Sequence, residues 1–126
     1  MTGVRWLNPA PHEARMVASE RGCVRVIDLQ SVSWVGAEGD YVRFHQPNRS
    51  LLLRKTMAAA ERELASRRFL RIHRSAIVNL ERIARIEPYG KESRVAILTD
   101  GARLPVSRSG YARLLEAMGD SRGSAT

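Results

Sequence analysis

The chain has 126 residues, 44% of them hydrophobic and 27% charged, which excludes a chain disordered throughout and predicts a single domain with one core. Its 21 lysines and arginines outnumber 13 acidic residues, and the net charge of +8 favours a polyanionic partner, either nucleic acid or an acidic membrane surface. The lone Cys23 excludes an internal disulfide and a cysteine-rich zinc site, which is typical of a protein of the reducing cytoplasm. We expect this thiol to be buried. No cofactor is expected.

Residues 1–21 contain Pro9 and Pro11 and show no sustained hydrophobic period, which predicts a leader or linker. A short helix from His12 to Arg21 is compatible with the pattern. The segment lacks the apolar core of a secretion signal, and no apolar run in the chain approaches the roughly 18 residues of a membrane span.

Alternation of polar and apolar residues then predicts a series of strands, beginning at Cys23. In the strand over residues 41–45 we expect Val42 and Phe44 to point inward and Arg43 outward. The turn residues at 37–40 predict a hairpin. Residues 54–67 change to a helical period, with Thr56 as the expected N-cap.

The most informative stretch follows this helix, at residues 67–80, RRFLRIHRSAIVNL. Its first eight positions hold four arginines and a histidine with no acidic residue, interleaved with apolar residues that a solvated charge run would not need. We interpret it as a strand that anchors in the core and ends in a basic tip, residues 73–75, facing an anionic partner.

The C-terminal third predicts a hairpin about Asp100-Gly101 and a final helix, capped by Ser107 and stopped at Gly119. Residues 120–126 are expected to form a polar tail. Since short turns connect most strands, the pattern predicts a mainly β fold of antiparallel sheets with two short helices, not a βαβ sheet.

Four motifs in one order resemble the LytTR-type DNA-binding domain of bacterial transcription regulators, over residues 22–119. The resemblance implies an elongated fold that binds double-stranded DNA through loops inserted into successive grooves, and not through a helix-turn-helix. It also implies binding to repeated sites as a pair, and an N-terminal receiver or sensory segment in a longer parent protein; a stand-alone regulator stays an alternative. The motifs are WVGAEGDYV at 34–42, RKT at 54–56, FLRIHRSAIVN at 69–79, and Asp100-Gly101 followed by LPVSR at 104–108.

The resemblance places the DNA contacts in three loops, at residues 38–41, at 73–75, and at 107–109 with Arg113 beyond. Asp40 in the first loop departs from this pattern, because a phosphate repels a carboxylate. An arginine fork suits guanine O6 and N7, whereas other cations and hydroxyls suit phosphate oxygens. The candidates for base contacts are Arg74, Arg108, His73, Tyr41 and Asp40, and those for phosphate contacts are Arg67, Arg68, Arg71, Ser75, Lys91, Ser107, Ser109 and Arg113.

Some candidates have plainer alternatives. His73 could bond a backbone carbonyl at the end of its strand, and Asn79 is preferred as a turn former over a base reader. An RNA or single-strand binder would need exposed aromatic residues, which are few here. A module that binds any anionic surface or a partner protein stays open. No nucleophile elbow, phosphate loop or metal-ligand spacing is found in the sequence, so no enzyme is predicted.

Overall fold

The computed structural model describes residues 15–65 and 67–119, without the side chain of Glu20. The strands are β1 Arg15–Glu20, β2 Cys23–Asp28, β3 Trp34–Glu38, β4 Tyr41–Gln46, β5 Arg49–Arg54, β6 Phe69–His73, β7 Ala76–Asn79, β8 Ile83–Tyr89, β9 Ser93–Leu98 and β10 Arg103–Val106. The two α-helices are α1 Met57–Leu64 and α2 Arg108–Ala117, and short 3-10 turns follow β2 and β7.

The strands form three antiparallel sheets. A central five-stranded sheet has the order β5-β4-β3-β7-β6, a three-stranded sheet has the order β10-β9-β8, and β1 pairs with β2 in a two-stranded ribbon. The mainly β, antiparallel fold with two helices is therefore confirmed. Five strands separate α1 from α2, so these helices do not form a helix-turn-helix.

The central sheet is covered on both faces, which explains why every residue of β7 is buried. Ile77 points into a core shared with α1 and the β1–β2 ribbon. Its neighbours Ala76 and Val78 point to the opposite side, into a core shared with α2 and the three-stranded sheet. Alternate side chains of one strand thus serve two apolar layers.

Several local predictions are confirmed. Val42 and Phe44 are fully buried while Arg43 stays half-exposed between them. The Thr56 side chain accepts a hydrogen bond from the amide of Ala59 at 3.0 Å, as an N-cap does, although α1 is shorter than the predicted 54–67. The Ser107 hydroxyl caps α2 in the same manner through the amide of Gly110, at 2.9 Å.

Three expectations differ from the structure. Residues 15–20 form a strand and not a helix, because alternate residues Met16 and Ala18 are buried and the whole segment pairs with β2; residues 12–14 lie outside the described residues. Cys23 is exposed, since it stands at the turn of the ribbon, where the core does not reach. The basic stretch does form a strand, β6, that ends in the tip, but residues 76–79 return beside it as a second strand, β7, so the stretch is a hairpin.

Candidate nucleic-acid interface

Two of the three predicted loops lie at the same end of the central sheet. Strand β3 runs into the turn Gly39-Asp40, and β7, which lies beside β3, begins just after the turn Arg74-Ser75. Because the two strands are antiparallel, the end of one meets the start of the other. The amide of Ala37 donates to the carbonyl of Ser75 at 3.1 Å, which ties the two turns together.

The third loop is held against the second by the backbone of β6. The amide of Ser107 donates to the carbonyl of Ile72 at 2.9 Å, and the Ser107 hydroxyl lies 3.3 Å from the same oxygen. Helix α2 therefore starts beside the β6–β7 tip. The Ser107 hydroxyl caps the amide of Gly110, whereas the amides of Arg108 and Ser109 have no acceptor inside the helix. These two amides and the positive dipole end favour an anion.

The tip has a defined hydrogen-bond pattern. The Nδ1 atom of His73 accepts from the amide of Ser75 at 3.1 Å and lies 2.8 Å from the Ser75 hydroxyl. His73 thus bonds a backbone amide, and not the carbonyl of the plainer alternative. With Nδ1 as acceptor, the neutral ring carries its proton on Nε2, which can serve as a donor. Arg71 closes the turn by donating from Nη2 to the carbonyl of Arg74 at 2.7 Å.

Between the tip and α2 lies a surface depression of about 490 Å³. Arginines outnumber acidic residues three to one along its lining, so the depression is cationic and suits a phosphate-bearing ligand. Its lining residues are Glu61, Arg71, His73, Arg74, Ser107, Ser109 and Arg113.

Arg108 stands at the first position of α2 and its side chain is 85% exposed. It pairs with Glu92 at 2.7 Å, in the turn between β8 and β9 that also carries Lys91. An ion pair this exposed contributes little stability, so the guanidinium can exchange Glu92 for a ligand at small cost. The β8–β9 turn thereby becomes a fourth element beside the three predicted loops.

The structure does not bring all predicted contacts together. Arg67 and Arg68 precede β6, whereas the tip follows it, so the whole strand separates them from Arg74. Arg67 donates from Nη1 to the carbonyl of Glu63 at 2.8 Å, and Arg68 lies 3.4 Å from Glu81. Asn79 is 5% exposed and caps a 3-10 turn through the amide of Glu81, consistent with its preferred role as a turn former.

Two residues of this end of the molecule were not found from the sequence. Glu61 on α1 lies 3.3 Å from Arg71 and 3.8 Å from Arg113. Arg54 stands opposite Tyr41 in the β4–β5 pairing, with its guanidinium 5.8 Å from the centre of the tyrosine ring. Their signals were weak: a carboxylate on the buried-facing stripe of a helix, and an arginine that opens the RKT motif.

The electrostatics beside the first turn are partly self-neutralised. The hydrogen-bonded guanidinium of Arg43 lowers the pKa of Glu38, whose Oε2 lies 2.6 Å from Nε of that arginine. Glu38 is therefore an anion at neutral pH and occupies Arg43.

Within residues 15–65 and 67–119, no helix is long and apolar enough to cross a membrane, and no cluster of histidine, cysteine and acidic side chains forms a metal site.

An antiparallel β domain that gathers basic turns and a helix N-terminus at one end has features typical of a nucleic-acid-binding domain, and its two helices do not form a helix-turn-helix. The family model described as the LytTr DNA-binding domain matches residues 22–119, and the chain belongs to this family.

Curated relatives and a solved structure agree with this assignment. The chain is 31% identical over 93 residues to the sensory transduction protein LytT of Bacillus subtilis, a match that covers 74% of this chain and 38% of the relative. It is 34% identical over 92 residues to the sensory transduction protein LytR of Streptococcus mutans, covering 73% and 37%. This chain thus spans little more than a third of either relative.

The LytTr DNA-binding domain of a Bacillus cereus protein superposes with a TM-score of 0.71, covering 84% of this chain and 97% of that chain. At 21% sequence identity, this likeness supports the fold.

Proposed function

We propose that this domain binds double-stranded DNA in a sequence-specific manner and acts in transcriptional control in the cytoplasm. One observation carries the proposal: the β6–β7 tip with Arg74 and the start of α2 with Arg108 lie side by side at one end of the molecule, joined through the carbonyl of Ile72. Two exposed arginine forks at neighbouring loops match the geometry that reads guanine in a major groove.

In this proposal the loops divide the work. Arg74 and Arg108 donate to guanine O6 and N7, and His73 donates from Nε2 to an acceptor on a base edge. Tyr41, with Asp40 beside it, occupies the neighbouring groove from the first turn. Phosphates bind around these readers and fix the register of the domain on the duplex. The proposed phosphate contacts are Arg113, Lys91, Arg54, Ser109 and the backbone amides of Arg108 and Ser109.

The relatives' names extend the proposal to the parent protein. Because the curated relatives are sensory transduction proteins more than two and a half times the length of the matched segment, we infer that this domain is the output part of a similar regulator. A domain of this size covers few base pairs, so a pair of copies on a repeated site supplies the remaining specificity.

The test is the selection of bound duplexes from a random library at about 150 mM salt, where unspecific charge attraction is screened within about 8 Å. We expect a defined motif, repeated at a spacing set by the turn of the double helix. Recovery of random sequence would refute sequence-specific binding. Tighter binding of single-stranded RNA in competition would instead favour a single-strand binder, and equal binding of anionic vesicles would favour a general anionic-surface module.

A further inference from the structure

Glu61 is the single acidic side chain that lines the cationic depression in the described part of the chain. It projects from the middle of α1, whose residues Ala60 and Leu64 are fully buried, so its backbone is fixed in the core. One carboxylate oxygen lies 3.3 Å from Nη1 of Arg71 on β6, and the other lies 3.8 Å from Nη1 of Arg113 on α2. A single carboxylate therefore contacts two of the elements that build the interface.

The contact with Arg71 continues to the tip. The other end of the same guanidinium, Nη2, donates to the carbonyl of Arg74 at 2.7 Å. Arg71 has a half-buried side chain whose Nε atom is shielded from solvent and has no acceptor, so its orientation depends on the two bonds at its ends. Two contacts therefore connect the core helix to the base-reading turn: Glu61 contacts Arg71, and Arg71 donates to the carbonyl of Arg74.

This arrangement carries an electrostatic penalty. A carboxylate on a surface that receives a polyanion repels every phosphate near it, and removing one such charge at about 8 Å through water would raise affinity for any duplex about twofold. A residue that only packed α1 against the sheet would not need this charge. The benefit must come from what the carboxylate holds.

We propose that Glu61 is a positioning residue for DNA recognition: it fixes Arg71 and Arg113, and through Arg71 the tip, and so lowers general affinity while raising specificity. The inference rests on the proposed function for its consequence, but the geometry of the path exists in the free protein. Glu61 itself contacts no DNA in this proposal.

The test compares Glu61→Gln with Glu63→Gln. Both changes remove one negative charge from α1, but Glu63 pairs with Lys55 at 2.5 Å and lies outside the depression. For Glu61→Gln we expect the ratio of affinities for the selected duplex and a scrambled duplex to fall about tenfold, with the scrambled duplex bound as well or better. For Glu63→Gln we expect both affinities to change alike. An unchanged ratio in Glu61→Gln would overturn the proposal.

A second variant separates the effect of side-chain length at position 61 from the effect of its negative charge. Glu61→Asp keeps the charge but withdraws the carboxylate by one methylene. It should lower the specificity ratio without any gain in affinity for the scrambled duplex. A ratio equal to that of the parent protein would contradict a positioning role that depends on contact with Arg71.

A readout without DNA keeps this inference distinct from the proposed function. The amide of Ser75 donates to His73 within the tip, so its hydrogen exchange reports how firmly the tip is held. In the DNA-free protein, Glu61→Gln should accelerate exchange at Ser75, whereas Glu63→Gln should not. If the parent protein prefers no duplex, the proposal of sequence-specific binding is refuted, but the exchange rate at Ser75 still tests whether Glu61 holds the tip. Unchanged exchange in Glu61→Gln would refute the path to the tip.

Discussion

A Cβ atom on Gly110 would lie 2.1 Å from the carbonyl oxygen of Ile72, so the first turn of α2 rests directly on the backbone of β6. The same carbonyl accepts the amide of Ser107 at 2.9 Å. Only a residue without a side chain permits this approach. The spacing between the β6–β7 tip and the start of α2, on which the proposed interface depends, is therefore set by backbone contact and not by mobile side chains.

Gly110→Ala should destabilise the domain and displace α2. Alanine is favoured over glycine inside a helix by about 1 kcal/mol. The clash outweighs that gain, because the blocking atoms are strand backbone, and overpacking of this kind costs about 1–3 kcal/mol. We expect a lower free energy of unfolding in urea, and weaker DNA binding by the protein that remains folded.

The matched control is Ala112→Gly, at an exposed position of the same helix. It should lower stability by about 1 kcal/mol through helix propensity alone and leave DNA binding by the folded protein unchanged. A gain of stability in Gly110→Ala would show that α2 does not rest on β6 in solution.

Arg74→Ala and Arg68→Ala remove one exposed guanidinium each, at opposite ends of β6. Loss of a bidentate reader should weaken binding to the selected duplex by about 1–3 kcal/mol and relax the preference at one base pair. Arg68 lies beyond reach of the tip, so its removal should change that affinity by about twofold or less. Titration of both variants against selected and scrambled duplexes checks this. Equal losses for the two variants on both duplexes would contradict Arg74 as a base reader and would support the predicted phosphate contact at residues 67–68.

Much of the fold could be predicted because its signals are local. Thr56 and Ser107 cap the two helices with the chemistry that their types predict, and the turn at Asp100-Gly101 has Gly101 at a φ of 93°. Residues 15–20 are also compatible with a helix in the sequence, because apolar residues in so short a segment fit both the helical and the strand period. The segment becomes a strand because it pairs with the neighbouring strand β2, a contact that its own residues do not report.

The candidate site was predictable where its residues are close together in the sequence. The tip at 73–75 and the segment at 107–109 carry dense, readable patterns. Glu61 was missed because its partners, Arg71 and Arg113, are 10 and 52 positions away, and no local pattern reports such contacts. The partial burial of Arg71 and the exposure of Cys23 likewise depend on where the packed layers end, which no local pattern reports.

Asn79→Ala should lower stability without touching the interface. The side-chain amide of Asn79 donates to the carbonyl of Val32 at 2.8 Å, and its oxygen accepts from the amide of Glu81 at 3.0 Å. Removing the side chain leaves a buried carbonyl without its partner, which costs about 1–3 kcal/mol. Urea unfolding should register this loss, while Asn48→Ala in an exposed turn should stay within about 0.5 kcal/mol. A larger effect of Asn79→Ala on specific DNA binding than on stability would revive its role as a base reader.

Stability should fall as the solution is acidified through the histidine range, because of His45. Its ring stacks on Trp34 with centroids 4.1 Å apart and planes 5° apart, and burial, followed by the charge of Arg43, lowers the pKa of His45 below its usual 6.5. A lowered pKa means that the folded state resists a proton that the unfolded state accepts. The stabilisation is therefore complete above the unfolded value and is lost as pH falls below about 6.5, until the folded pKa is reached.

Unfolding free energies at about pH 7.5 and about pH 5.5 should differ in the parent protein more than in His45→Gln, which cannot titrate in this window. Glu38, whose pKa is lowered by Arg43, loses its own contribution only at lower pH, as acid falls through the carboxylate range, so the two effects separate. His73→Gln serves as the second control, because it removes a histidine at the tip but leaves the stack of His45 on Trp34 intact. Parallel acid losses in the parent protein and in His45→Gln would assign the decline to other groups.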